Sequence, residues 1–125
     1  MSGTIDGFYL AYLSGKQGQG FAMLVFISGQ IVGADPSGFV LDGKYSESER
    51  DTISVTLAMK SPPNVVLIQG GSTGPQGEDE DLNFQMPRDF ASMKFIRVET
   101  QRGPMNVRFV KLRDLPPFTP RSEYE

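Results

Sequence analysis

The sequence predicts a small all-β protein, an antiparallel up-and-down β-barrel of about seven or eight strands with at most one short helix. Apolar and polar residues alternate with a period of two along most of the chain, as they do in strands with one buried face. Fourteen Gly and nine Pro divide the 125 residues into short segments, and every amphipathic helical stripe is interrupted by one of them. We expect closure into a barrel because it removes the exposed edges of an open sheet.

The length of 125 residues fits one domain with one core. We expect residues 1–115 to form the barrel. Residues 116–125, which begin Pro-Pro-Phe-Thr-Pro, are expected to form a Pro-rich C-terminal tail.

The first two predicted strands are apolar on both faces. The first covers residues 8–13, and a Gly-rich connection over residues 14–20 leads to the second, at residues 21–27. A strand with two apolar faces needs a core on one side and another cover on the other. That cover is either a second copy of the chain or an apolar ligand, and the pattern leaves open which face is covered. The candidate residues are Phe21, Met23, Leu24, Val25, Phe26 and Ile27.

The middle of the chain contains three further strand signals. A turn at Ser28 leads to a short strand at residues 31–32, and the next strand covers residues 39–45. Gly43 in that strand predicts a bulge or bend. The clearest alternation begins at Thr52, where hydroxyl side chains at every second position predict a solvent face opposite an aliphatic one.

The last part of the chain is predicted to close the sheet. Residues 64–69 fit a helical turn or a short strand, and we expect a short helix at one end of the barrel. Residues 70–77 contain four Gly and no bulky apolar side chain, which predicts a mobile loop. A strand at residues 82–86 and a hairpin of residues 93–100 and 105–112 follow.

The composition excludes most catalytic sites. The chain has no Cys and no His, so thiolate catalysis, Cys-based zinc sites and an imidazole base are ruled out. The Gly-rich connection at residues 15–20 precedes a predicted strand, whereas a phosphate-binding loop leads into a helix. We therefore expect no catalytic residue, no cofactor and no metal site, and a binding role instead.

The N-terminus has no basic segment followed by an apolar run, as a signal peptide would. The longest apolar run, residues 21–27, is much shorter than the roughly 18 residues that span a bilayer. We expect a cytoplasmic protein that does not contact a membrane.

Carboxylates concentrate in two segments that we predict to be loops. Such oxygens attract Lys and Arg side chains of a protein partner, or Ca²⁺, although a solvating loop needs neither. The spacing of an EF-hand is missing, and this argues against the metal. The candidate partner-binding residues are Glu47, Glu49, Asp51, Glu78, Asp79, Glu80 and Asp81.

The C-terminal third is basic although the chain has a net charge of −3. Residues 82–113 carry seven Lys and Arg against two acidic residues. On alternating strands such charges form the solvated face, and nucleic-acid binding is the weaker alternative. That alternative would use Arg97, Arg102, Arg108, Lys111 and Arg113.

Residues 5–59 contain a recognisable order of short motifs. They are Asp6-Gly7-Phe8-Tyr9, a strand after Gly20, Gln30-Ile31-Val32-Gly33-Ala34-Asp35, Phe39 with Gly43, and a polar turn before Ile53-Ser54-Val55. This order resembles that of the negative regulators of type III secretion, the GrlR-like proteins.

The resemblance implies a lipocalin-like barrel that forms a homodimer and represses by holding a transcriptional activator away from DNA. In that family an exposed acidic motif lies between the strands that correspond to residues 39–45 and 52–59. Here Ser48 and Arg50 interrupt the acidic residues at that place, which dilutes the charge.

Two function classes follow. The leading one is a non-enzymatic protein-binding module, a negative regulator that sequesters a transcriptional activator. The alternative is a carrier or sensor of a small apolar ligand in the barrel interior. A carrier needs a cavity on the order of several hundred Å³, whereas an interaction module can be packed solid.

Overall fold

Eight antiparallel strands form a single curled sheet in the computed structural model, which describes residues 4–116. The prediction of an all-β barrel with at most one short helix is confirmed. The strands are β1 (Gly7–Gly15), β2 (Gly18–Ile27), β3 (Gln30–Ala34), β4 (Val40–Ser48), β5 (Thr52–Ser61), β6 (Glu78–Pro87), β7 (Ile96–Thr100) and β8 (Gly103–Arg113). A 3₁₀ helix, Phe90–Ser92, lies between β6 and β7.

The strand order is β6-β5-β4-β3-β2-β1-β8-β7, so β1 to β6 follow one another as neighbours, β7 pairs with β8, and β8 returns to pair with β1. Leu10 on β1 stands opposite Val110 on β8. The sheet ends at β6 and β7, which face each other across the gap in the barrel wall. We call this gap the seam.

The connections divide the barrel into two ends. The mouth end carries the β1–β2 turn, the β3–β4 turn at residues 35–39, the β5–β6 loop at residues 62–77 and the β7–β8 turn. The floor end carries the β2–β3 turn, the β4–β5 turn at residues 49–51 and the 3₁₀ helix. Because Gly15 pairs with Gly18, the β1–β2 turn is tight, and most of the Gly-rich segment belongs to the strands instead of a long connection.

Alternation places one face of each strand in the barrel interior. On β5 the predicted pattern is confirmed, because Ile53, Val55 and Leu57 are buried while Thr56 and Ala58 between and beside them are exposed. A single core cluster joins residues from β1, β2, β3, β5, β6, β7 and β8 with Ile5 and Phe90. The hydrophobic effect on this inner face closes the sheet.

Two local predictions are wrong, and one of two alternatives is excluded for a third. Residues 64–69 contain no helix, because Val66 forms an isolated β-bridge with Ser72. The acidic run that begins at Glu78 is not a loop, since it pairs with β5 as the first part of β6. At Gly43 the structure excludes the bulge and not the bend, because Gly43 lies in a continuous register between Ile31 and Leu57.

Within residues 4–116 no helix has the length and apolar character to cross a membrane. Of the tail predicted over residues 116–125, only Pro116 is described, and residues 117–125 lie outside the described part of the chain.

Candidate functional site

The interior at the floor end is filled by aromatic side chains. Ring centroids are 4.8 Å apart for Tyr9 and Phe26, and 5.1 Å apart for Phe90 and Phe109. These separations are typical of tilted and edge-to-face aromatic pairs. Tyr45 joins the set at 5.2 Å from Phe26. We call these five residues the aromatic floor.

Two phenol groups of the aromatic floor donate hydrogen bonds. The Tyr9 hydroxyl donates to the carbonyl oxygen of Ile5 over 2.5 Å, and the Tyr45 hydroxyl donates to the carboxylate of Asp6. Burial raises the pKa of Tyr9, and burial with the Asp6 hydrogen bond raises the pKa of Tyr45 to about 12. Both phenols therefore remain protonated near neutral pH.

Between the aromatic floor and the mouth end lies an apolar cavity of about 240 Å³. An apolar cavity of about 150 Å³ stays dry and binds benzene, so in proportion this one holds a molecule of roughly ten heavy atoms. We call it the barrel cavity. Its interior walls include Leu24, Leu57, Leu82, Val107 and Phe109.

Small side chains keep this half of the barrel hollow. Ala11 on β1 and Ala22 on β2 are register partners, both are buried, and both line the barrel cavity. A larger side chain at either position would occupy the space. The aromatic residues that fill the floor end have no counterpart at this level of β1 and β2.

Polar residues line the barrel cavity only near its mouth. They are Gln19, Asp35, Ser37 and Gln69. The Asp35 Oδ1 atom accepts the backbone N–H groups of Ser37, at 2.8 Å, and Phe39, at 3.0 Å. Among the lining residues within 4–116, Asp35 is the only charged one.

The β5–β6 loop, residues 62–77, lies over the opening, and we call it the mouth loop. Its segment from Val65 to Gln69 contributes to the cavity lining. Leu67 is buried at 5% exposure, whereas the neighbouring Val66 is 78% exposed. The loop therefore presents one apolar side chain to the interior and another to solvent.

Hydrogen bonds fix the path of the mouth loop. The Thr73 hydroxyl donates to the carbonyl oxygen of Pro62 over 2.6 Å and accepts the N–H of Val65 at 3.0 Å. The N–H of Gln17 in the β1–β2 turn donates to the carbonyl oxygen of Ile68 over 2.6 Å. The prediction of a mobile loop concerned residues 70–77, which have no bulky apolar side chain; within that segment the buried Thr73 supplies polar anchoring.

The predicted acidic site does not form one surface. Glu47 lies on β4 and Glu49 and Asp51 in the turn that follows, all at the floor end. Glu78, Asp79, Glu80 and Asp81 lie on β6 at the mouth end. The structure thus separates the two segments by the length of the barrel, and only the β4–β5 turn matches the predicted loop.

Three of these carboxylates already have partners within the chain. Glu47 pairs with Arg88 at 2.8 Å, and Glu78 pairs with Arg102. Glu80 accepts the backbone N–H of Gln101 at 2.6 Å. The last two contacts cross the seam and join β6 to the β7–β8 turn, so they hold the barrel together. Within residues 4–116 no group of three or more acidic side chains is arranged to hold a metal ion.

The segment Phe21–Ile27 splits between the two sides of the wall. Leu24 and Phe26 are buried in the core, with Leu24 also lining the barrel cavity. Phe21, Met23 and Ile27 are 40–48% exposed, and Val25 points to the same side. The sequence left open which face of this segment is covered by a second copy and which by a ligand; the structure turns Leu24 and Phe26 to the interior and leaves Phe21, Met23, Val25 and Ile27 on the outside.

The outward residues of this segment belong to a larger apolar surface. Register places Met23 between Leu10 on β1 and Ala34 on β3, with Val110 and Val40 at the two ends of that row. Apolar residues also occupy the rows on either side. We call the whole set the outer apolar face, and its members are Phe8, Leu10, Tyr12, Phe21, Met23, Val25, Ile27, Val32, Ala34, Val40 and Val110.

The basic residues considered for nucleic acid are also engaged locally. Arg97 pairs with Glu99 on the same strand at 2.7 Å, and Lys111 pairs with Asp114 at 2.5 Å. The Arg108 guanidinium lies 5.8 Å from the Tyr12 ring centroid, and Arg113 donates to the carbonyl oxygen of Asp114. Arg102 pairs with Glu78 at the seam, so each of these five basic residues has a partner within the described part of the chain.

Comparisons of the chain with protein-family models, curated proteins and solved structures found no match. The GrlR-like and lipocalin-like features therefore remain predictions.

Sequence reasoning missed the mouth residues. Asp35 has the sequence signature of a turn residue, and its hydrogen bonds with Ser37 and Phe39 confirm that role, but the sequence does not indicate that Asp35 and Gln69 line the same cavity. The available signal was the apolar run Val65–Ile68 between Pro63 and Gly70, because an apolar segment in a loop needs a surface to cover.

Proposed function

We propose that the protein binds a small apolar molecule in the barrel cavity and acts as its carrier or sensor. The observation that carries this proposal is the apolar space of about 240 Å³ between the aromatic floor and the mouth end of the same barrel. Interiors pack to crystal-like density, and filling a cavity recovers contacts that its walls otherwise lack. A ligand of matching volume therefore stabilises the folded state.

The geometry limits the length of the ligand. The aromatic floor closes the cavity from below, since Phe26 and Phe90 are each 1% exposed. The mouth loop covers it from above through Leu67 and Ile68. A molecule of roughly ten heavy atoms fits between them, and a long-chain lipid does not.

Titration calorimetry with n-octanol and n-hexadecanol tests this function. We expect saturable binding of n-octanol and none of n-hexadecanol. The variant Ala11→Leu adds three carbon atoms inside a cavity that holds roughly ten heavy atoms, so too little room is left for n-octanol, and the variant should abolish n-octanol binding without loss of the fold. Ala58→Leu is the matched control, because Ala58 is exposed on the outside of β5. Undiminished n-octanol binding by Ala11→Leu, or no binding by the wild-type chain, contradicts the proposal.

As a second candidate function we propose a protein contact through the outer apolar face, with a second copy of the chain as its occupant. Monomers seldom expose contiguous apolar patches larger than a few hundred Å², and here Phe21, Met23 and Val32 are each 43–50% exposed. Asp42 and Arg108 flank the face on β4 and β8 and are both exposed. A two-fold axis would bring the positive rim of one copy to the negative rim of the other.

Sedimentation of the wild-type chain and two variants tests the homodimer. We expect the wild type to be dimeric and Met23→Glu to be monomeric, because a carboxylate in an apolar interface lacks a partner. Ala58→Glu adds the same charge away from the face and should remain dimeric. A wild-type chain that is monomeric at high concentration contradicts this candidate.

The regulatory role implied by the resemblance needs a further contact with a transcriptional activator. We propose Glu49 and Asp51 for it, because they lie in an exposed turn and the ion pairs of the described residues do not use them. A double reversal to Lys should reduce recovery of copurifying protein. The same reversal of Asp79 and Asp81, at the opposite end, is the control, and equal losses from both pairs contradict the assignment.

A further inference from the structure

We propose that the ligand of the barrel cavity ends in a hydrogen-bond donor, an amine or a hydroxyl group held at Asp35, and that molecules ending in a carboxylate are rejected. This inference rests on the proposed ligand-binding function. It assigns the chemical class of the ligand and a specificity-determining residue.

Polarity is segregated along the cavity. The deep walls carry only apolar side chains, such as Leu24 and Val107, whereas the polar lining residues lie at the mouth end, Gln19 near the start of β2 and the others on the β3–β4 turn and the mouth loop. A bound amphiphile therefore places its hydrocarbon part against the deep walls and its polar end at the mouth. The reverse orientation would bury a polar group without a partner.

Asp35 offers an unused acceptor at this mouth. Its backbone follows the last residue of β3, and its side chain is half-buried. Both turn hydrogen bonds, from Ser37 and Phe39, end on Oδ1. The Oδ2 atom takes part in neither, so a donor on the ligand can bind there while the turn keeps its own hydrogen bonds.

Among the described residues 4–116, no Lys or Arg lines the cavity to bind a carboxylate at the same position. The basic residues on the turns of the mouth end are Lys16 and Arg102, and neither is among the lining residues. Arg102 is held by Glu78 and donates to the carbonyl oxygen of Ser72 at 3.0 Å. A second carboxylate beside Asp35 would instead be repelled by it.

Three ligands with the same hydrocarbon chain test the inference at neutral pH by titration calorimetry: n-octylamine, n-octanol and n-octanoate. We expect the wild-type chain to bind the amine at least as tightly as the alcohol and to bind the carboxylate at least about fivefold more weakly than the alcohol.

The variant Asp35→Asn assigns the selectivity to this side chain. It retains the Oδ1 acceptor for the turn but loses the charge, so n-octylamine should bind about fivefold more weakly while n-octanol is nearly unchanged. Asp42→Asn is the matched control, because this substitution removes the same charge on the outer side of β4, away from the cavity. Retained n-octanol binding also reports that Asp35→Asn is folded.

The outcomes separate the two proposals. Equal binding of n-octanoate and n-octanol by the wild type, or an unchanged preference in Asp35→Asn, overturns the role of Asp35 and leaves the cavity function standing. If none of the three ligands binds, the cavity function and the inference built on it are both overturned.

Discussion

The guanidinium of Arg102 pairs with the carboxylate of Glu78 across the seam of the barrel. Glu78 is the first residue of β6, and Arg102 lies in the β7–β8 turn. The same guanidinium donates to the carbonyl oxygen of Ser72 in the mouth loop. One side chain thus connects both edges of the sheet to the segment that covers the cavity.

Replacing Arg102 with Gln should loosen the seam and the mouth loop together. The backbone amides of residues 72–80 are expected to exchange hydrogen faster than in the wild type, because two contacts of one side chain are lost. Hydrogen exchange followed by mass spectrometry measures this. Arg97→Gln is the control, since the Arg97–Glu99 pair is exposed and joins residues of one strand. Equal exchange in both variants would show that Arg102 does not couple the two segments.

The barrel could be predicted because local signals determine most of it. Period-two alternation, strong on β5, assigns the inner face of each strand, and tight turns between consecutive strands determine their order. The closing contact is different, because Leu10 and Val110 are a hundred residues apart. No local signal in the sequence predicts the pairing of β1 with β8. Closure of the barrel is predicted only because an open sheet would leave two edges exposed.

The candidate site was less predictable because it depends on contacts between distant segments. The run beginning at Glu78 has the composition of a solvated loop, yet pairing with Ser61 on β5 makes it a strand. The apolar run that begins at Val65 is too short to show either a helical or a strand period. Its position at the cavity mouth depends on tertiary contacts, which the sequence does not show. Alternation divides Phe21–Ile27 into two sets of residues on opposite faces. Because both sets are apolar, the sequence does not show which set faces the interior.

Phe90 is the residue on which the aromatic floor depends most. It is 1% exposed and lies 5.3 Å from the Tyr9 ring centroid and 5.6 Å from that of Phe26. Phe90→Ala should lower the free energy of unfolding by about 3–5 kcal/mol, because a large buried ring is replaced by a cavity. Urea denaturation measures the change.

Phe95→Ala is the control for the floor, since Phe95 is 52% exposed. It should change the free energy of unfolding by less than about 1 kcal/mol. Similar losses in the two variants would contradict the assignment of Phe90 to the floor.

Gly43 is required by close packing of β4 against β5. A Cβ atom at this position would lie 2.1 Å from the carbonyl oxygen of Thr56 and 2.8 Å from Cδ2 of Leu57. The first contact is with backbone, which cannot rotate away. Gly43→Ala should therefore lower the free energy of unfolding by about 1–3 kcal/mol, as overpacking does.

Gly20 provides the comparison, because a Cβ atom there has no neighbour within 4 Å. Gly20→Ala should leave stability unchanged or slightly increased, since Ala restricts the unfolded chain. Thermal unfolding of both variants measures the difference. A Gly43→Ala protein as stable as Gly20→Ala would contradict the close approach of β4 and β5 at Gly43.

Tyr45 should make stability depend on pH in the alkaline range. Its pKa is raised from 10.0 to about 12 in the folded chain, so the unfolded chain loses the phenol proton first. The stabilising contribution is fully present below pH 10 and is lost as pH rises from 10 to about 12. Denaturant midpoints at pH 9 and pH 11.5 should therefore differ less in Tyr45→Phe than in the wild type. Tyr12→Phe removes a hydroxyl from the outer apolar face and is the control, so it should keep the wild-type difference between the two midpoints. An equal reduction of that difference in both variants would contradict a specific role for the Tyr45–Asp6 hydrogen bond.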